Sequence, residues 1–128
     1  MEKRKEVVLQ SKTLSVKGIL YDSPTATKLW DALPIKSVAH RWGDEVYFST
    51  QITTELEDNA TDVVPPGTIC FWVEGNSVAI PFGRTPVSKG NECRLITEVN
   101  IIGKITDDPT LLDNIHEGDE IELKATES

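Results

Sequence analysis

Residues 64–86 read VPPGTICFWVEGNSVAIPFGRTP, and this stretch decides the architecture. Residues 69–73 form an unbroken apolar run rich in β-branched and aromatic side chains. Glu74-Gly75-Asn76 supplies a turn, and residues 77–82 run back. The segment is therefore a β-hairpin that feeds a loop of glycine and proline. Phe71, Trp72 and Phe82 make it the densest apolar part of the chain. Alternation lets only one of Phe71 and Trp72 point inward, and the sequence does not say which. Pro81 has no N–H for a ladder, so its strand carries a bulge or borders a gap.

Working outward toward the N-terminus, residues 6–20 are two strands around Ser11-Lys12-Thr13, with Leu14, Val16, Gly18 and Leu20 on one face. Ser23 is a good N-cap and Pro24 sits where its missing N–H costs nothing. Ala26, Leu29, Trp30 and Leu33 follow at helical spacing, which predicts a short helix over 24–33, stopped by Pro34. Its apolar face plugs one end of the sheet structure or covers one side, with Trp30 in the packing. Residues 37–50 return to strand character around a turn at Trp42-Gly43-Asp44. Residues 51–62 are polar and carry Glu55, Glu57, Asp58 and Asp62, but their spacing is not that of an EF-hand, so a solvated connection is expected.

Toward the C-terminus, residues 83–92 form a ten-residue loop, long for a compact domain and of the kind that often carries function. Residues 95–105 resume as a strand in which Gly103 marks a bulge or a close backbone approach. Asp107-Asp108-Pro109 starts a second helical turn over 109–114. A last strand over 120–124 has Ile121 and Leu123 on one face. About eight strands with closely spaced turns predict a mainly β fold, a closed or nearly closed barrel. The 128 residues make one domain, 1–128, large enough to bury roughly two thirds of its unfolded surface.

Charge and composition remove several functional classes. Thirteen basic against 21 acidic residues give a net charge of −8, which repels phosphate backbones, so nucleic acid is not an expected partner. The one basic cluster, Lys3-Arg4-Lys5, reads as a solvated tail. No apolar segment has the length of a signal peptide or a membrane span, which predicts a cytoplasmic protein that does not engage a membrane. Cys70 and Cys93 stand apart, with no CxxC and no Cys/His cluster, so they read as buried thiols and no metal is expected. No GxSxG, HExxH or phosphate-binding glycine loop occurs, and no cofactor is expected. His40 and His116, the only two histidines, define no triad. What remains is a set of aromatic residues near Arg41 and Arg84, a combination suited to holding an apolar group beside a hydrogen-bond acceptor.

Four runs carry a resemblance. SPTATKLWDALP at 23–34, RWGDEVYFS at 41–49, the hairpin ending in PFGRTPVS at 81–88, and EVNIIGKI at 98–105 resemble the small cyclophilin-like proteins of bacteria and archaea. The resemblance spans nearly the whole chain and implies an eight-stranded barrel similar to that of the prolyl isomerases. Cyclophilins place a catalytic arginine after a histidine in a strand following the first helix, and His40-Arg41 occupies a similar place. The resemblance thus makes Arg41 the catalytic candidate. The isomerases continue with a phenylalanine, a methionine and a glutamine that form the proline pocket, whereas this chain has Val46, Tyr47 and Ser49. No residue here matches their tryptophan or second histidine.

Two functions are therefore weighed. In the first, preferred, the chain is a binding module for a small molecule or an extended peptide. Tyr47, Trp72, Phe82 and the loop residues Gly83, Arg84, Thr85 and Pro86 would receive the ligand, while Arg41 or Arg84 fixes a carbonyl or carboxylate. In the second it is a prolyl cis–trans isomerase with a reduced site, acting on a proline-containing peptide, where Arg41 hydrogen-bonds near the prolyl nitrogen and favours the twisted amide.

Overall fold

Among the described residues, the alternating segments and their turns fold as ten strands, an α-helix and a 3₁₀ helix. The computed structural model describes residues 5–126; Lys3 and Arg4 of the basic cluster lie outside them. The strands are β1 (Lys5–Gln10), β2 (Ser15–Leu20), β3 (Ile35–Val38), β4 (His40–Arg41), β5 (Glu45–Ser49), β6 (Thr61–Val64), β7 (Thr68–Trp72), β8 (Ser77–Pro81), β9 (Cys93–Ile105) and β10 (Glu120–Ala125). Helix α1 spans Pro24–Ala32, and its N-cap Ser23 side chain accepts from the Ala26 N–H. The expected helical turn is the 3₁₀ helix Pro109–Asn114, capped by Asp108. The expected barrel is present, and two short strands, β4 and β6, raise the count above eight. Among the described residues no helix is long and apolar enough to cross a membrane.

The sheet runs β3-β10-β1-β2-β9-β7-β8-β5-β4, and β6 pairs with β9 off this path. Its two ends, β3 and β4, are separated in the chain by Ala39 alone, so the sheet curls until its edges meet. Ser37 Oγ donates to the Ser49 carbonyl at 3.0 Å across that seam, joining β3 to β5. The Ala39 N–H donates to the Asp119 carbonyl and the Ala39 carbonyl accepts from the Gly118 N–H, both at 2.8 Å. Near-closure leaves few free strand edges.

The side-chain period of two assigns one face of each strand to the barrel interior. Val7, Leu9, Val16, Val46, Phe48, Ile69, Phe71, Val78, Ile80 and Ile102 pack there as one cluster, which Ala26 and Leu29 of α1 and Leu112 and Ile115 close from outside the strands. Phe71 is therefore the inward residue of the hairpin pair, and Trp72 faces out. The β7–β8 ladder stops at Cys70↔Ala79, two residues short of Pro81, which is the gap its missing donor required.

The longest strand, β9, positions the site. Its residues 100–105 pair with β7 and β2 in the barrel wall, with a bulge at the Ile69/Cys70 step opposite Gly103. A Cβ on Gly103 would collide with the Ile19 carbonyl oxygen, so only glycine permits the approach of β9 to β2. Residues 93–99 leave the wall and pair with β6. They lie over the outer face of β7 and β8, where Val64, Cys70, Ala79, Cys93, Leu95 and Val99 form a second buried cluster, with Tyr47 and Trp72 packed against it. The acidic connection before β6 is held by buried Asn100. Its Oδ1 accepts from the Glu57 N–H at 2.8 Å, and its amide donates to the Glu55 carbonyl at 2.9 Å and Thr25 Oγ1 at 3.0 Å. Thr25 in turn donates to the Glu57 carboxylate.

Candidate functional site

Between the outer face of β5, β8 and β7 and the overlying arm of β9 lies a hollow of about 200 Å³. Its floor follows from strand register. Tyr47 pairs with Ala79 across β5 and β8, and Ala79 pairs with Cys70 across β8 and β7. Alanine in the middle of this row leaves the space that a larger side chain would fill. Trp72 stands at one end, and Glu45, opposite Pro81, stands at the other beside Trp42. Leu95, Ile96 and Val99 of β9 form the facing wall.

Glu45 is the one charged residue of this lining. It is 6% exposed, and its Oε1 atom is buried without a hydrogen-bond partner. Burial pushes its pKa from 4.5 up to about 7, because a desolvated carboxylate is disfavoured against its neutral form. Trp72 Nε1 is a second buried polar atom without a partner. The thiols of Cys70 and Cys93 are free and buried. Desolvation, and then nearby acidic groups that include Glu45, hold both above the ordinary thiol range, so they are inert. Tyr47 is backed by the His40 ring, with centroids 5.2 Å apart, and His40 Nδ1 pairs with Glu117 Oε2 at 2.7 Å.

The residues that the sequence grouped around Arg41 divide between two places. Tyr47 and Trp72 line the hollow. Phe82 is buried in the barrel cluster and lies under the Arg41 guanidinium at 5.1 Å. An arginine carries five N–H donors, and those of Arg41 go to protein acceptors. Nε and Nη2 donate to the Gly43 carbonyl at 3.2 and 3.1 Å, Nη1 to the Asp113 and Ile115 carbonyls at 3.3 and 2.9 Å, and Nη2 to Asp113 Oδ1 at 3.1 Å. The side chain pins β4 and the following turn to the end of the 3₁₀ helix.

The loop residues serve the same turn. A Cβ on Gly83 would press on the Asp44 carboxylate, and Gly43 lies against Arg84, Thr85 and Pro86. The Asp44 N–H donates to the Arg84 carbonyl at 2.8 Å. Thr85 is buried and donates to the Arg94 carbonyl. Arg84 and Pro86 point to solvent. The loop braces the turn at 42–44 that presents Trp42 and Glu45 to the hollow. Arg94 is held by Glu92 and Asp62. Among the described residues no group of His, Cys, Asp and Glu is placed to hold a metal ion.

Glu45, Trp42, Ala79 and the β9 wall were not singled out by sequence reasoning as ligand contacts. The available signal was parity, since Glu45 shares the outward face with Tyr47 while Val46 and Phe48 turn inward.

No curated protein matches the chain. The solution structure of the hypothetical protein AF2241 from Archaeoglobus fulgidus is similar to it at 34% identity, with a TM-score of 0.81, covering 96% of this chain and 95% of that one. The family model described as Cyclophilin-like matches residues 4–124. With nearly the whole chain matched, and a barrel that one solved relative shares end to end, the protein belongs to the cyclophilin-like family.

Proposed function

We propose that this protein is a binding module that takes a small ligand with an apolar body into the outer hollow. One observation carries the reading: a carboxyl group buried without a partner on Oε1 in an otherwise apolar lining. An unpaired buried polar atom costs about 1–3 kcal/mol, and a ligand that supplies a donor there recovers part of it. Ligand pockets of this kind are apolar with a few converging polar groups. The volume of about 200 Å³ is below the usual range of roughly 300–1,000 Å³ for ligand pockets, which favours a fragment-sized molecule over an extended peptide.

The isomerase alternative requires Arg41 to donate toward a prolyl nitrogen, and its donors are engaged within the chain. The hollow is therefore the better-supported site. The test is an amide NMR titration with a panel of small aromatic compounds, in the native protein and in Ala79→Leu, which fills the floor. Shifts centred on Tyr47, Trp72 and Ala79 that vanish in the variant are expected. Shifts that persist in Ala79→Leu, or none around the hollow at millimolar ligand, would overturn the reading.

A further inference from the structure

The chemistry of the hollow narrows the ligand class. Glu45 Oε1 faces no donor, and no Lys, Arg or His side chain contributes to the lining. The side chains around Glu45 are those of Asp44 before it in the turn, Tyr47 on the same strand, Cys70 on β7 and Cys93 on β9, with His40 behind the Tyr47 ring and paired with Glu117. Both neighbouring guanidiniums are committed, Arg41 to Asp113 and Asp44, and Arg94 to Glu92 and Asp62. The remaining large surfaces are the rings of Trp42, Tyr47 and Trp72, whose faces carry negative potential.

Three kinds of ligand can be compared on that lining. An anion would meet a carboxyl group and aromatic faces with no positive partner. A neutral apolar molecule would fill the space and leave Oε1 unpaired. A protonated amine supplies the missing donor, neutralises the carboxylate and is attracted to the ring faces. The net charge of −8 also draws cations toward the surface.

We propose that the hollow is a site for a small organic cation, an alkyl or arylalkyl ammonium whose N–H reaches the Glu45 carboxylate while its apolar body lies on Ala79 between Tyr47 and Leu95. This rests on the reading of the hollow as a ligand site and adds the chemical class. The amine arrives with its own proton, so Glu45 binds it as the carboxylate, and any proton on Glu45 leaves to solvent.

Phenethylammonium and its neutral counterpart 2-phenylethanol are the probes, titrated into the native protein and into Glu45→Gln at about pH 8, where the carboxylate dominates. Calorimetry gives affinities and the indole N–H signals of Trp42 and Trp72 locate binding. The ammonium is expected to bind the native protein about tenfold or more tightly than the alcohol, as charge-assisted pairing in a desolvated site requires. Glu45→Gln should bring the two probes to similar affinity and leave the alcohol little changed. Equal affinities in the native protein overturn the cation assignment while alcohol-induced indole shifts keep the hollow as a ligand site. An ammonium preference that survives Glu45→Gln overturns the assignment to Glu45. Absence of any shift at the hollow with either probe overturns both readings. The ratio in the native protein decides the class by itself, so a poorly folded variant leaves the question answered.

Discussion

Replacing Glu45 with Gln tests the electrostatics of the hollow without any ligand. Burial raises the Glu45 pKa in the folded chain from 4.5 to about 7. Between those values the folded state keeps a proton that the unfolded state has released, so stability falls as pH rises through that window. Below it both states are protonated and there is no cost; above about 7 the cost is complete. At about 1.36 kcal/mol per pH unit the buried carboxylate destabilises the fold by about 3 kcal/mol at alkaline pH. Gln has nearly the same shape and does not titrate, so its own unpaired amide adds a pH-independent offset. Urea unfolding of both proteins from about pH 5.5 to about pH 8.5 should show the native protein losing about 2 kcal/mol relative to Glu45→Gln, with m-values unchanged. A difference that is flat with pH, or that grows in the opposite sense, would refute the burial argument.

Three further outcomes are expected. Arg41→Ala leaves the Gly43, Asp113 and Ile115 carbonyls without their donor and should lower unfolding free energy by about 2 kcal/mol or more, read by chemical denaturation; a loss below about 0.5 kcal/mol, the range of unremarkable surface changes, would refute its bracing role. Asn100→Ala removes every bond that ties the 55–57 connection to buried Asn100 and should cost about 2–3 kcal/mol, with amide exchange at Glu57 accelerating beyond that of the barrel strands. Gly103→Ala drives a methyl group into the Ile19 carbonyl and should cost about 3 kcal/mol or prevent folding, which melting curves and soluble yield would show; native-like melting would mean β2 and β9 can separate freely.

Much of the barrel was legible because its signals are local. The turn at 74–76, the Ser23-Pro24 start of α1 and the parity of residues 14–20 each act within a few residues, and each lies where expected. The hairpin pair Phe71 and Trp72 was not decidable, because both faces of β7 are covered, one by the barrel and one by the arm of β9, so its sequence shows no alternation. Glu45 resisted for a related reason. A glutamate after a turn reads as solvated, and it is buried where the arm of β9, which arrives later in the chain, faces it. Arg41 drew attention through the cyclophilin resemblance, yet its acceptors on Asp113 and Ile115 lie more than 70 residues away and leave no local trace. The loop at 83–92 looked functional by its length; its internal and turn-directed bonds show where much of its backbone is used. Strands β4 and β6, of two and four residues, fall below what periodicity resolves.

The parity of β5, β7 and β8 has a practical consequence. Residues 46, 48, 69, 71, 78 and 80 fill the barrel, while 45, 47, 72 and 79 line the hollow outside it. Two sets of side chains thus share the same strands but not the same neighbours. Substitutions at the four outer positions alter charge, ring content and volume on the face of the strands opposite to the barrel interior. A combinatorial library restricted to those four positions would explore new ligand chemistries while the residues that fill the barrel stay as they are.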